Sequence, residues 1–195
     1  DLSKITEFRP VMEIVALSDV KIVFDFKTES VKSMDPTRNE HTFGIAYFEQ
    51  NLLFVGKNAN KNQRYGTFAH ELTHFALYLL FENRCLPYSI DDIEREEKWI
   101  QIIENIRQVF VSDIEGTDNI IRWVFECYDV GYEQQAELIV RVNDLLAFYI
   151  DNPEKMEQLR RIYAEIFDFY TIFVLPDLNT EGFLIKNLNN DFKFV

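Results

Sequence analysis

Two of the three histidines in this chain stand four residues apart, in the run His70-Glu71-Leu72-Thr73-His74. On an α-helix, positions four apart lie one above the other on the same face. The two imidazoles can therefore grip one metal ion, provided that the segment is helical. Its flanks predict that it is. Phe68, Leu72, Phe75, Ala76, Leu79 and Leu80 recur at helical spacing and assign one face to a core. Asn60 or Asn62 can cap the start and Pro87 lies beyond the end, which predicts a helix over 63–83. Two imidazoles leave a zinc ion short of ligands. A third protein ligand from elsewhere, with a water, would complete an open site. Glu71 projects beside the pair, where it would take the proton of that water. The plainer alternative is a buried amphipathic helix whose histidines are satisfied by hydrogen bonds. That alternative accounts for the apolar positions, but it gives no reason for a glutamate between two rare residues.

The run resembles the HExxH signature of zinc peptidases, whose subclasses differ in the third ligand. Metzincins place a third histidine soon after the second, behind a glycine. Neither follows His74 at that spacing, and His41 is upstream and isolated. Gluzincins use a glutamate from a later helix, usually within Glu-x-x-Ala/Ser-Asp. The segment Glu133-Gln134-Gln135-Ala136-Glu137 is similar to that pattern, with Glu137 where the family commonly has Asp. The resemblance implies Glu133 as the third zinc ligand. Glu137 would then be the carboxylate that orients a metal-bound histidine through its free ring N–H. The longer side chain at 137 leaves open which of the two takes the metal. Without the upstream motif, the same residues read as a solvated acidic face, or as a Glu137–Arg141 helix ion pair worth a few tenths of a kcal/mol.

The same resemblance implies a fold and an activity. The fold would be α+β and zincin-like: an N-terminal antiparallel or mixed sheet, the HExxH helix, then a mostly helical C-terminal part. The activity would be zinc-dependent hydrolysis of a peptide or amide bond in a protein or peptide substrate. Zn²⁺ would be held by His70, His74 and Glu133, and Glu71 would be the general base. Such a reaction also needs a donor for the oxyanion. Tyr128 and Tyr132, near the third ligand in sequence, are the candidates, with His41 behind them. Two other readings compete: a zincin-fold interaction module without turnover, and a helical protein with a chance motif.

Composition narrows the partners. With 195 residues, 47% of them hydrophobic, the chain can bury the core of one domain over 1–195. It carries 33 acidic against 20 basic residues, a net charge of −13. That field disfavours nucleic acid and anionic membrane surfaces, and no basic stripe overrides it. No run approaches the length of a membrane span. Cys85 and Cys127 make no disulfide framework and are expected as thiols. There is no secretory signal and the first residue is Asp1, which points to a segment of a longer chain or a processed one and leaves the compartment open, with the cytoplasm favoured.

Along the chain, residues 1–56 read as mainly β, 63–178 as mainly α and 179–195 as a tail. Strands are expected over 11–17 and 20–26, then a polar loop over 28–39. The apolar runs 42–48 and 52–55 flank Glu49-Gln50-Asn51 as a hairpin. Either could be an edge strand that pairs with an extended substrate. After the HExxH helix, helices are predicted over 91–111, 119–127, 132–150 and 153–174, the last opened by Pro153 and ended by Pro176. The Asn-rich tail, with Phe183, Phe192 and Phe194, reads as a docking segment.

Overall fold

The computed structural model describes residues 2–25, 31–32, 41–56, 60–112 and 116–179. The expected loop over 28–39 and tail over 180–195 fall largely outside these residues. Within the former, Val31–Lys32 forms a strand, β2, rather than loop.

The architecture is α+β and mostly helical, with one small mixed sheet. Helix α1 (Arg9–Ala16) leads into β1 (Lys21–Phe24), and β2 pairs antiparallel with β3 (His41–Thr42). Strands β4 (Gly44–Tyr47) and β5 (Leu52–Val55) form the expected hairpin around a short 3-10 turn over Phe48–Gln50. Asn51 closes that turn in the left-handed region, at φ 48°, which Asn tolerates better than most residues. The sheet order is β1-β5-β4: β1 runs parallel to β5, and β4 is an edge. The helices follow as α2 (Lys61–Leu80), α3 (Ile93–Val111), α4 (Asn119–Cys127), α5 (Tyr132–Phe148), α6 (Pro153–Ile162) and α7 (Ala164–Phe169).

Two expectations are corrected. Residues 11–17, expected as a strand, belong to α1. Pro10 stands in its first turn, where a missing N–H costs nothing. Pro10, Val11, Ile14 and Val15 fall on one buried face, so helical burial won over the β-propensity of the valines and isoleucine. Pro176 does not end the last helix either. A π-helical turn over Tyr170–Val174 precedes it, and residues 175–179 continue as α-helix. The wider turn gives room for a ring that would otherwise meet the carbonyl one turn back.

The core lies where α2 and α5 pack along one another. Their side chains meet in antiparallel order: Gly66 near Phe148, His70 near Asp144, His74 near Glu137. Leu72, Phe75, Ala76 and Leu77 of α2 join Leu138, Ile139, Val142 and Leu145 of α5 in one buried cluster. A polar node fixes this register. Asn143 Nδ2 donates to Thr73 Oγ1 at 3.0 Å and to the Tyr170 hydroxyl at 2.8 Å. Thr73 Oγ1 in turn donates to the Ala69 carbonyl. Asn60 caps α2 by accepting from the Gln63 N–H, and Asp92 does the same for α3 from Arg95. Cys85 and Cys127 form no disulfide. Among the described residues no helix is long and apolar enough to cross a membrane.

Candidate metal centre

The motif histidines sit midway along α2 on the face turned to α5. Their Nε2 atoms are 3.2 Å apart, and both rings are buried. The third group is Glu137. Its Oε1 lies 3.3 Å from His74 Nε2 and its Oε2 lies 3.4 Å from His70 Nε2. Among the described residues these three form the group able to hold a metal ion, one ligand atom from each falling within 4.8 Å of the others. The donors suit a divalent cation. Two imidazole nitrogens and a carboxylate, all electron-pair donors, converge on one buried point that a cation would satisfy.

Glu133 does not join them. The expected division, with Glu133 as ligand and Glu137 as orienting partner, is replaced by Glu137 against both imidazoles. The antiparallel register of α2 and α5 is the reason. Residue 137 falls level with the histidine pair, and Glu133 lies just over one turn, about 6 Å, further toward the start of α5. There it is exposed at the cavity wall. Asp144, which the sequence reading missed, is the carboxylate on the other side of His70, too far from its Nδ1 for a hydrogen bond. Its Oδ2 lies 3.7 Å from His70 Nδ1, and it also accepts from Arg141 Nη1 at 2.6 Å. Arg141 Nη2 reaches back to Glu137 Oε2 at 3.1 Å, so one guanidinium holds both carboxylates. Residues 137, 141 and 144 thus form a polar stripe on α5. That stripe was the available signal.

Charge is unevenly divided over this cluster. Burial, helped by the Arg141 cation, pushes the His70 pKa down to about 4, so His70 is neutral near neutrality. Burial works to lower His74 as well. The Glu137 carboxylate and the neighbouring Cys85 thiol outweigh it and raise His74 to about 10. Glu137 is itself held well below the usual carboxylate range: burial opposes its ionisation, but the two imidazoles prevail. Without a metal, the facing nitrogens therefore share one proton, carried on His74.

Glu71 is buried beside the cluster, and burial pushes it up to about 7 against the opposing pull of His74. Its position depends on Gly44. A Cβ at residue 44 would stand 2.8 Å from Glu71 Cγ and 2.9 Å from Glu71 Oε1. Only glycine lets the edge strand pass this close to that carboxylate.

These groups line one cavity of about 750 Å³, within the range of ligand sites. Its lining comes from β4, α2, α4 and α5. The oxyanion candidates reach the cavity in different states. The Tyr132 hydroxyl accepts from the Cys85 backbone N–H at 2.8 Å. Tyr128 lies edge-on to Trp123, with ring centroids 5.4 Å apart. Tyr47, at the end of β4, also lines the cavity, and burial together with the Glu71 charge raises its pKa. The sequence reading passed over Tyr47 because it lies far from both motifs in the chain. His41 falls in β3, paired in register with Lys32. No family model, no curated protein and no solved structure matches this chain.

Proposed function

We propose that this protein is a zinc-dependent hydrolase of peptide bonds, with a zincin-like arrangement of edge strand, HExxH helix and ligand helix. The observation that carries this reading is the convergence of His70, His74 and Glu137 in an open cavity, with Glu71 beside them.

His70, His74 and Glu137 would hold the ion, and Arg141 would fix Glu137. A zinc ion bound there supplies Lewis acidity, polarising the scissile carbonyl and lowering the pKa of water toward neutrality. The chain's own residues do the rest. Glu71, whose proton affinity lies near neutrality without metal, accepts a proton from the attacking water and returns it to the leaving amine. The backbone of β4 can bind the substrate as an added strand, because it is the sheet edge that faces the cavity. A purely structural site has no use for Glu71 and is usually closed and cysteine-rich. This one is open and uses no thiol.

The test combines zinc content with turnover. Protein purified without chelator should carry about one zinc per chain, lost in His70→Ala and His74→Ala. Glu71→Gln should keep the zinc and lose roughly 10²-fold or more in turnover of a cleaved peptide. Wild-type turnover in that variant would end the mechanism, and metal-free wild type would end the zinc reading.

A further inference from the structure

A buried imidazole needs a partner at each ring nitrogen. At His74, Nε2 faces Glu137 Oε1 at 3.3 Å and His70 Nε2 at 3.2 Å. The other nitrogen, Nδ1, is buried and has no hydrogen-bond partner. A metal on Nε2 fixes the tautomer, because the remaining ring proton then sits on Nδ1. His74 is 8% exposed, so that N–H is cut off from bulk water and needs an acceptor from the chain.

The chain brings a thiol to this residue. Beyond the end of α2, Glu82 at φ 50° and Asn83 at φ 67° take the left-handed conformation in succession, and Phe81 pairs with Arg84 in a β-bridge. The next residue, Cys85, is thereby returned to the helix. Its Sγ donates to the His74 carbonyl at 3.7 Å. The thiol also acts on the imidazole: burial disfavours the protonated ring, and Cys85, like Glu137, counters that effect. Committing the S–H to a carbonyl leaves the sulfur lone pairs available, and they are acceptors, though weak ones.

The segment that carries the thiol is fastened to the ligand helix. The Cys85 backbone N–H donates to the Tyr132 hydroxyl at 2.8 Å, and the Tyr88 hydroxyl donates to Gln135 Oε1 at 2.6 Å. Tyr132 and Gln135 both stand at the start of α5, the helix that carries Glu137. Successive left-handed residues other than glycine persist only where their surroundings impose them, and these two bonds tie down the segment that follows. Helix α5 thus presents Glu137 to His74 directly and, through Tyr132, anchors the thiol against the same histidine.

We propose that Cys85 is a positioning residue of the metal centre. It is not a ligand. Its sulfur accepts the Nδ1–H of His74 and so holds the ring with Nε2 toward the ion. The proposal rests on the zinc reading of the site, but it does not depend on what the protein hydrolyses.

The experiment compares zinc-loaded wild type, Cys85→Ala and Cys85→Ser. Zinc affinity is measured by competition with a chromophoric chelator, and the imidazole nitrogens and their protons are followed by ¹⁵N-resolved NMR. Cys85→Ala removes the acceptor and should weaken zinc by about 10- to 100-fold, the usual scale for losing a partner of this kind. Cys85→Ser keeps a group that both donates and accepts, and it should recover most of that loss. A thiol that served only as packing would give no such rescue by a polar hydroxyl. In wild type the His74 Nδ1–H should exchange slowly with water, and in Cys85→Ala it should exchange fast. Unchanged affinity in Cys85→Ala, or a serine variant as weak as the alanine one, overturns the proposal and leaves the zinc reading standing. If the variants do not fold, wild type decides. A His74 Nδ1 without a proton, or with one that exchanges as fast as that of free imidazole, overturns the proposal. Wild type that binds no zinc overturns both.

Discussion

At the scale of single residues, the site depends on which glutamate meets the imidazoles. Glu137 bridges both Nε2 atoms, whereas Glu133 stands one turn away. Glu137→Gln should therefore weaken zinc binding by at least about tenfold more than Glu133→Gln, as measured by competition with a chromophoric chelator. The reverse order would place the ligand at 133 and contradict the geometry. The proton shared by the histidines gives a second prediction. Its folded-state pKa on His74 is raised to about 10, so at pH 7 zinc must displace it. Calorimetry in two buffers of different ionisation enthalpy should report about one proton released per zinc bound. Apparent affinity should rise about tenfold per pH unit through the neutral range, and an affinity that does not change with pH would refute the assignment. The histidine pair and Glu71 were legible in the sequence because rare residue types at i and i+4 have few other uses. The choice between Glu133 and Glu137 was not legible. Both lie on the same side of α5, and only the register against α2 separates them.

At the scale of elements, that register is set by small residues and one polar node. Gly66 gives Asp144 its place: a Cβ there would stand 2.5 Å from Asp144 Oδ1. Asn143 is tied to both α2 and the π-turn. Gly44 does the same for Glu71 from the side of the sheet. Gly44→Ala should displace the Glu71 carboxylate and lower kcat by about 10- to 100-fold while zinc stoichiometry holds, since small misplacements of a catalytic group are costly. Unchanged kcat would mean that β4 yields instead of the carboxylate. The helices of the second part were legible from their apolar spacing and caps, except that the one expected over 153–174 breaks at Tyr163 into α6 and α7, and the β4–β5 hairpin was legible from its two apolar runs. Helix α1 was not, because its β-branched residues suit a strand locally and only the face they bury decides. The π-turn was hidden for a similar reason: Pro176 reads as a stop unless the preceding turn widens.

At the scale of the whole molecule, the two ends of the site come from distant parts of the chain, and metal binding should stabilise the fold. At free zinc a hundredfold above its dissociation constant, linkage contributes about 2.7 kcal/mol. For a chain of this length that corresponds to a Tm shift of about 5–10 °C. A strong chelator should remove this shift in wild type and have no effect on His70→Ala/His74→Ala. Equal melting with and without chelator would mean that the cluster binds no zinc. The molecule's charge was legible from composition, and it agrees with a cavity lined by four carboxylates around one paired arginine. The presence of Trp123 in that cavity was not, since it depends on the packing of α4 on α5.

The antiparallel clasp of α2 and α5 has one more consequence. Both histidines lie before the excursion through α3 and α4, and the bridging carboxylate lies after it. Neither half of the polypeptide carries all three groups. Severing the backbone between α3 and α4 would part the imidazole pair from its carboxylate, and only re-docking of the two fragments would reunite the three.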